Sequence, residues 1–246
     1  MNKNKEFYDS FHKFSKIQHK LISERNFTYQ RIISIFNRHI KRSDKILDLG
    51  CGIGVVSMYY GHRSNSVVGV DVSGNAISIG KKSVEFFDLK KFVKFKVLDF
   101  PNEFLNETFD KIIFSEVLEH IRNEDKALSA IYKMLKYNGK LIISVPSENS
   151  LLHKLGFTKK FDEEVGHLRR YALEYLKSKL EKNGFFVYKI YKTEGLIRNI
   201  MFNLRPFGFL VKFMKGPVGK FVNWLDSKTV DFFGESQIIV IACKKR

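Results

Sequence analysis

Glu116, Glu119 and His120 stand at i, i+3 and i+4 in the segment EVLEH, the spacing that places three side chains on one face of a helix. Carboxylates and an imidazole gathered in this way can hold or remove the proton of a reacting hydroxyl. Upstream, residues 46–54 read ILDLGCGIG: an apolar run carrying Asp48, then glycine at Gly50, Gly52 and Gly54. A buried strand feeding a tight turn has this pattern, and its glycines let the backbone adopt positive φ and approach a ligand without a Cβ in the way. A helix starting near Gly54 would aim free N–H groups at that ligand. Asp71 follows the glycine turn by about twenty residues, the interval at which a second strand presents a carboxylate to a ribose. By itself G-x-G-x-G suits many nucleotide-binding turns, so the elements around it decide its meaning.

Those elements alternate. Two amphipathic helices are expected within 5–42, from Phe7, Phe11, Phe14, Ile17 and Leu21 and then from Ile32, Ile33, Ile35, Phe36 and Ile40. Strands are expected at 45–49, 66–71, 92–97, 110–115 and 140–145, the last stopped by Pro146, with helices near 55–61, 75–87 and 124–137 between them. Helix 172–183 ends at Asn183-Gly184, strand 185–191 follows, and a final strand spans 237–243. This alternation predicts an α/β fold, a doubly wound, mostly parallel sheet with ligands beyond the carboxyl ends of its strands. Asp48, Asp71, Asp99 and Glu116 all fall at that edge.

Composition bounds the setting. No apolar run reaches the ~18 residues of a membrane span and the N-terminus lacks a signal-peptide core. Cys51 and Cys243 make no disulfide framework, so a cytoplasmic, reducing setting is expected. The net charge of +17 is uneven: residues 1–45 carry +7, residues 46–151 are neutral and residues 152–246 carry +10. The basic flanks would meet whatever anionic surface the protein meets, although a solvated lysine-rich surface accounts for the same charge.

Four ordered blocks, ILDLGCGIG at 46–54, GVDVS at 69–73, LDF at 98–100 and FDKIIFSEVLEHI at 109–121, resemble the class I S-adenosylmethionine-dependent methyltransferases over roughly 45–191 plus the last strand. The turn lacks the later helix glycine of a dinucleotide-binding domain, since Met58 and Tyr59 follow. The resemblance implies a seven-stranded Rossmann-like sheet with an antiparallel last strand, residues 1–44 as a helical cap, and residues 45–246 as the cofactor-binding domain with 192–236 as an insert or lid. It implies that Gly50, Cys51, Gly52 and Gly54 contact the methionine part of S-adenosylmethionine and that Asp48 anchors its ammonium directly or through water. Asp71 would take the ribose hydroxyls, Val72 would pack on adenine, Asp99 would accept from the adenine amino group, Phe100 would donate its backbone N–H, and Ser115 and Glu116 would line the floor. Arg31 is a looser match for the cofactor carboxylate.

E-x-x-E-H segments resembling this one bind a divalent metal in ubiquinone-biosynthesis O-methyltransferases and in small-RNA 2′-O-methyltransferases, so Glu116, Glu119, His120 and, from VGHLRRY, His167 form an implied set for a magnesium-, manganese- or zinc-like ion. The same residues also suit a site without metal, in which His120 is the base and His167 an ordinary surface histidine. Arg169 and Arg170 suit a phosphate or carboxylate, or solvent. Residues 196–225 mix aromatic and aliphatic side chains with Arg198, Arg205, Lys212, Lys215 and Lys220 and hold no acid, which suits an anionic membrane surface, a lid over the pocket, or RNA. The expected activity is methyl transfer to an oxygen of a small or lipid-like acceptor, peripheral to a membrane. Its rivals are RNA 2′-O-methylation and a non-catalytic cofactor-binding module at a membrane.

Overall fold

A computed structural model describes residues 3–244. In chain order the elements are α1 (Lys3–Phe11), α2 (Phe27–Asn37), β1 (Lys45–Leu49), α3 (Val55–His62), β2 (Ser66–Asp71), α4 (Gly74–Phe86), β3 (Val93–Val97), β4 (Phe109–Ser115), α5 (Glu124–Met134), β5 (Leu135–Pro146), α6 (Leu151–Lys154), α7 (Lys159–Val165), α8 (Leu173–Lys182), β6 (Phe185–Thr193), α9 (Leu196–Asn203), α10 (Gly216–Phe233) and β7 (Gln237–Lys244). The seven strands form one sheet in the order β3-β2-β1-β4-β5-β7-β6. All neighbouring pairs from β3 to β5 are parallel, while β7 runs antiparallel to both β5 and β6. The expected fold class, including the reversed last strand, is the one observed.

Alternation along each strand divides the core into two layers. Leu47, Leu49, Ile112, Phe114 and Ile143 pack with Leu128 and Ile131 of α5 and Leu176 and Leu180 of α8. On the other face Ile46, Val67, Ile113, Ile142 and Ile239 pack with Ile33 and Phe36 of α2, Met58 of α3 and Ile77 of α4. Asp48 shares the face of Ile46 and is therefore turned toward α3, where the Ser57 hydroxyl donates to its Oδ2 at 2.6 Å.

Two expected boundaries move. The first amphipathic stretch is helical only to Phe11; beyond it the chain crosses α4, the Gln18 amide donating to Ser83 Oγ at 3.0 Å and Ile22 entering the core as non-helical chain. Helix α5 stops at Met134 because Leu135 already pairs with Phe109 in a register-shifted start of β5, so 135–137 are strand where helix was expected. No described helix is long and apolar enough to cross a membrane.

The insert between β6 and β7 contributes α9, a 3-10 segment (Arg205–Phe213) and α10, and it is locked to α2 by one buried cation. Arg198, 1 % exposed, lies 4.8 Å from the Phe27 ring centroid and 4.9 Å from that of Phe202. Its guanidinium donates to Phe27 O (2.9 Å), Thr28 O (3.1 Å), Asn223 Oδ1 (3.0 Å) and Glu194 Oε1 (2.9 Å). Buried Asp226 accepts from the backbone N–H groups of Gly195 and Arg198, both at 2.9 Å, closing the start of α9. Removing this cation strands several acceptors, so Arg198→Ala is expected to cost about 3 kcal/mol in urea-induced unfolding. A loss below about 1 kcal/mol would mean that the insert is held by other contacts.

Candidate active site

β1 delivers the chain to Gly50, where the adjacent amides of Gly50 and Cys51 both donate to Val70 O at 2.8 and 2.9 Å. Gly50, Gly52 and Gly54 have φ of 76°, 53° and 81°, in the left-handed region that glycine enters without strain. Space is missing as well as freedom: a Cβ on Gly50 would lie 2.4 Å from Val117, and one on Gly54 2.0 Å from Phe95. The loop next reaches the end of β2, the Gly52 amide donating to Asp71 Oδ2 (2.8 Å) and the Ser73 amide to Oδ1 (2.9 Å). Each carboxylate oxygen of Asp71 keeps acceptor capacity for a ligand beyond these single bonds.

A cavity of about 250 Å³ opens at this edge. Of the residues singled out in the sequence, Gly50, Gly52, Asp71, Val72, Asp99, Phe100, Glu116 and His120 line it. Asp48, Cys51, Gly54 and Ser115 do not. Asp48 sits behind the turn against Ser57, its acid pushed up to about 6 by burial and by neighbouring Asp71 against the Ser57 hydrogen bond. Burial likewise pushes the Cys51 thiol up, Gly54 packs on Phe95, and the Ser115 hydroxyl meets that of Ser144 at 2.8 Å. Arg31 lies away from the cavity and donates to Asn223 O on α10 at 3.1 Å, because α2 packs against the insert. No described residue of 192–236 lines the cavity.

Closure comes instead from α1, whose Tyr8, Phe11 and the following His12 line the cavity and whose role the sequence reading missed. No sequence pattern signals it: the closure rests on Asp9, whose Oδ1 accepts from Ser73 Oγ (2.7 Å) and from the Asn75 amide (3.1 Å), pinning α1 to the start of α4. Burial, with Glu119 and Asp71 adding, raises the Tyr8 phenol, which stays protonated as its ring stands edge-on to His120 at 5.7 Å.

The helix expected through EVLEH is not formed. Glu116 has φ of 55°, and only Leu118–His120 makes a 3-10 turn, so the i, i+3, i+4 face is lost at its first residue. Glu116 turns toward β5 and β7, its Oε1 accepting from Ser144 Oγ (2.7 Å) and Gln237 Nε2 (3.0 Å), and burial raises its acid. Glu119, His120 and His167 do converge, with one ligand atom from each within 4.8 Å of the others. Glu119 is 0 % exposed, and neither of its carboxylate oxygens has a hydrogen-bond partner; burial, then Glu116, pushes its acid well up. The two rings are held from behind: His120 Nδ1 lies 3.0 Å from Gly166 O and His167 Nδ1 2.8 Å from Asp162 Oδ1. Their Nε2 atoms stand 3.8 and 3.7 Å from Glu119 Oε1. Burial, with His167 adding, pulls the His120 imidazolium down to about 4 despite the Gly166 contact. Of the four implied ligands, Glu116 is outside this group.

Arg170 is not available to an anionic substrate, since it donates twice to Asp162 (2.7 and 2.8 Å). Burial would raise the Asp162 acid, but these bonds and the one from His167 hold it well below the usual range. Arg169 is similarly engaged with Ile121 O (2.9 Å) and Glu124 (3.4 Å).

Comparison with known proteins finds a family and relatives of the same fold. A family model described as a methyltransferase domain covers residues 17–190. The mitochondrial ubiquinone biosynthesis O-methyltransferase of Rattus norvegicus is 33 % identical over 156 residues, 58 % of this chain and 44 % of the rat protein, so the chain spans less than half of that relative. Phosphoethanolamine N-methyltransferase 3 of Arabidopsis thaliana is 36 % identical over 107 residues, 43 % of this chain and 21 % of the plant protein. Among solved structures, phosphoethanolamine N-methyltransferase 2 of Haemonchus contortus in complex with S-adenosyl-L-methionine superposes with a TM-score of 0.64 at 22 % identity, covering 89 % of this chain and 53 % of that one, a likeness of fold. With its glycine turn, the acids at the carboxyl edge of its sheet and a family match across most of its length, the chain belongs to the methyltransferase-domain family.

Proposed function

We propose that this chain transfers the methyl group of S-adenosylmethionine to an oxygen of a small or lipid-like acceptor. One observation carries the reading: the glycine turn, Asp71, Asp99 and Phe100 border the same cavity as His120. Asp71 takes the ribose hydroxyls, Val72 packs on adenine, Asp99 accepts from the adenine amino group and Phe100 donates its amide. Gly50 and Gly52 lie along the methionine portion, while Asp48, Cys51, Gly54 and Ser115 support the turn and the floor from behind. The bound cofactor supplies an already activated methyl group, which leaves the protein to align a nucleophile, exclude water and manage one proton.

Alignment and water exclusion fall to α1 and Glu116, which both line the cavity. In a site without metal His120 manages the proton: neutral near pH 7, it keeps an Nε2 lone pair while Nδ1 is held at Gly166 O. A base this weak removes a hydroxyl proton poorly, and a cation that acidifies the hydroxyl would replace it. The donor set fits one, since a fully buried carboxylate without partners adjoins two imidazoles whose Nδ1 atoms are fixed by a carbonyl and a carboxylate. Glu119, His120 and His167 would then be the ligands of a divalent ion, zinc-like by its two nitrogen donors; the His120 Nε2 lone pair would go to the ion, and the ion, in place of a base on His120, would acidify the acceptor hydroxyl. The same group, with the net charge of +17, favours an RNA 2′-hydroxyl as the second reading of the acceptor.

Incubation with methyl-labelled S-adenosylmethionine and separate lipid, RNA, protein and small-molecule fractions is expected to place label, as an acid-stable ether, in the lipid or small-molecule fraction. Label in RNA would support the second reading, and cofactor binding with no S-adenosylhomocysteine released would indicate a non-catalytic module. Asp71→Ala is expected to weaken cofactor binding by more than about tenfold in calorimetry, and wild-type affinity would remove the ribose role. Glu119→Gln is expected to lower zinc or manganese content after dialysis by about tenfold or more, and unchanged metal content in both proteins would return His120 to a metal-free role. Because the folded protein holds the Asp48 proton up to a pKa of about 6, above its ordinary 3.8, stability is lost as pH rises through that window. Asp48→Asn should therefore stabilise the cofactor-free protein at pH 8, on the order of 2 kcal/mol, with little gain at pH 4.

A further inference from the structure

Helix α10 is built inside out. Its inward face carries Gly219, Asn223 and Asp226, the latter two occupied by Arg198 and the start of α9. Its outward face carries Phe221 (61 % exposed), Trp224 (57 %), Leu225 (41 %) and Phe232 (83 %), at the spacing of one helical stripe. The 3-10 segment before it adds exposed Phe207, Phe209 and Phe213. Lys212, Lys215, Lys220 and Lys228 are exposed between these side chains; residues 196–225 contain no acid, and Asp231 is the one exposed acid beside Phe232 on the described α10. Beside the stripe, a groove between α2, β6 and α10 is lined by Arg31, Arg38, Lys192, Lys220 and Trp224, with no carboxylate among its described lining residues.

We propose that this face docks the protein on an anionic lipid bilayer, Phe221, Trp224, Leu225 and Phe232 entering the headgroup–acyl boundary while Arg31, Arg38 and Lys220 take lipid phosphates. Charge selects this occupant. A second copy seated on the same patch by a twofold axis would set one lysine-rich rim against another, a repulsion that an anionic surface replaces with attraction. Single-stranded nucleic acid would use the cations and the flat rings, but it offers nothing to Leu225 and Val218, which are apolar and cannot stack. Docking is independent of which acceptor is methylated.

Trp224 is the only tryptophan in the chain and serves as the probe. With phosphatidylcholine vesicles containing phosphatidylglycerol, the intact protein is expected to float in a density gradient, release partly at high salt, and show a blue-shifted Trp224 emission quenched by brominated lipid. Pure phosphatidylcholine should give little of this. Phe221→Ser with Phe232→Ser, and separately Lys212→Glu with Lys220→Glu, should each weaken binding by about tenfold or more. Binding of S-adenosylhomocysteine, measured on the same samples, scores the cofactor reading separately and reports an intact fold. The proposal is overturned if the wild type does not float or if both double variants float as it does. It is overturned equally if Trp224 shifts on protein concentration alone, which indicates self-association, or if the same substitutions weaken RNA binding while vesicles are ignored.

Discussion

Two adjacent amides, those of Gly50 and Cys51, share one carbonyl, that of Val70, and the site is arranged around this junction. It ties the end of β1 to the end of β2, so the chain must turn through left-handed backbone, and the Gly52 amide arrives at the Asp71 carboxylate. Phe95 fills the space under Gly54 and Val117 the space under Gly50, which leaves the turn no room to relax. A carboxylate and a strip of bare backbone are thereby presented together at the edge of a rigid sheet. That is the requirement for gripping a nucleoside without relying on a mobile loop.

The second constraint is electrostatic. Glu119 is fully buried without a hydrogen-bond partner, an arrangement that is costly for an ionised carboxylate and unusual for a protonated one. His120 and His167 point their Nε2 atoms toward it, while Gly166 O and Asp162 hold both rings from behind. Arg170 in turn grips Asp162, so a residue that looks like a substrate anchor in the sequence is consumed in positioning a histidine. A buried cation would pair that carboxylate, which burial and Glu116 otherwise hold protonated.

The parallel part of the sheet was legible in the sequence because β1, β2 and β4 are short apolar runs that meet a glycine or an acid, and Asp71, Asp99 and Phe100 fell on the cavity as their positions at or after the ends of β2 and β3 required. Asp48 was placed only in part. Its position on β1 could be read, but the two-residue period turns it toward α3. EVLEH misled because helical spacing says nothing of φ, and Glu116 adopts the left-handed value that breaks the face. The closure by Tyr8 and His12 could not be read either, since it depends on Asp9 reaching Ser73 across 64 residues. The basic, aromatic insert suited a membrane surface, a lid or RNA alike, and its attachment to the first residues of α2 through Arg198 has no sequence pattern of its own.

Everything proposed for the chemistry rests on the cavity beside Gly50 and Asp71 being a seat for S-adenosylmethionine and not for another nucleotide. Equilibrium titration of the intact chain with S-adenosylhomocysteine, run beside NAD and ATP, tests this most directly. Saturable binding of one S-adenosylhomocysteine per chain, with no competition from NAD or ATP, is the predicted result. No binding of S-adenosylhomocysteine, or displacement of it by NAD at similar concentration, would contradict the account.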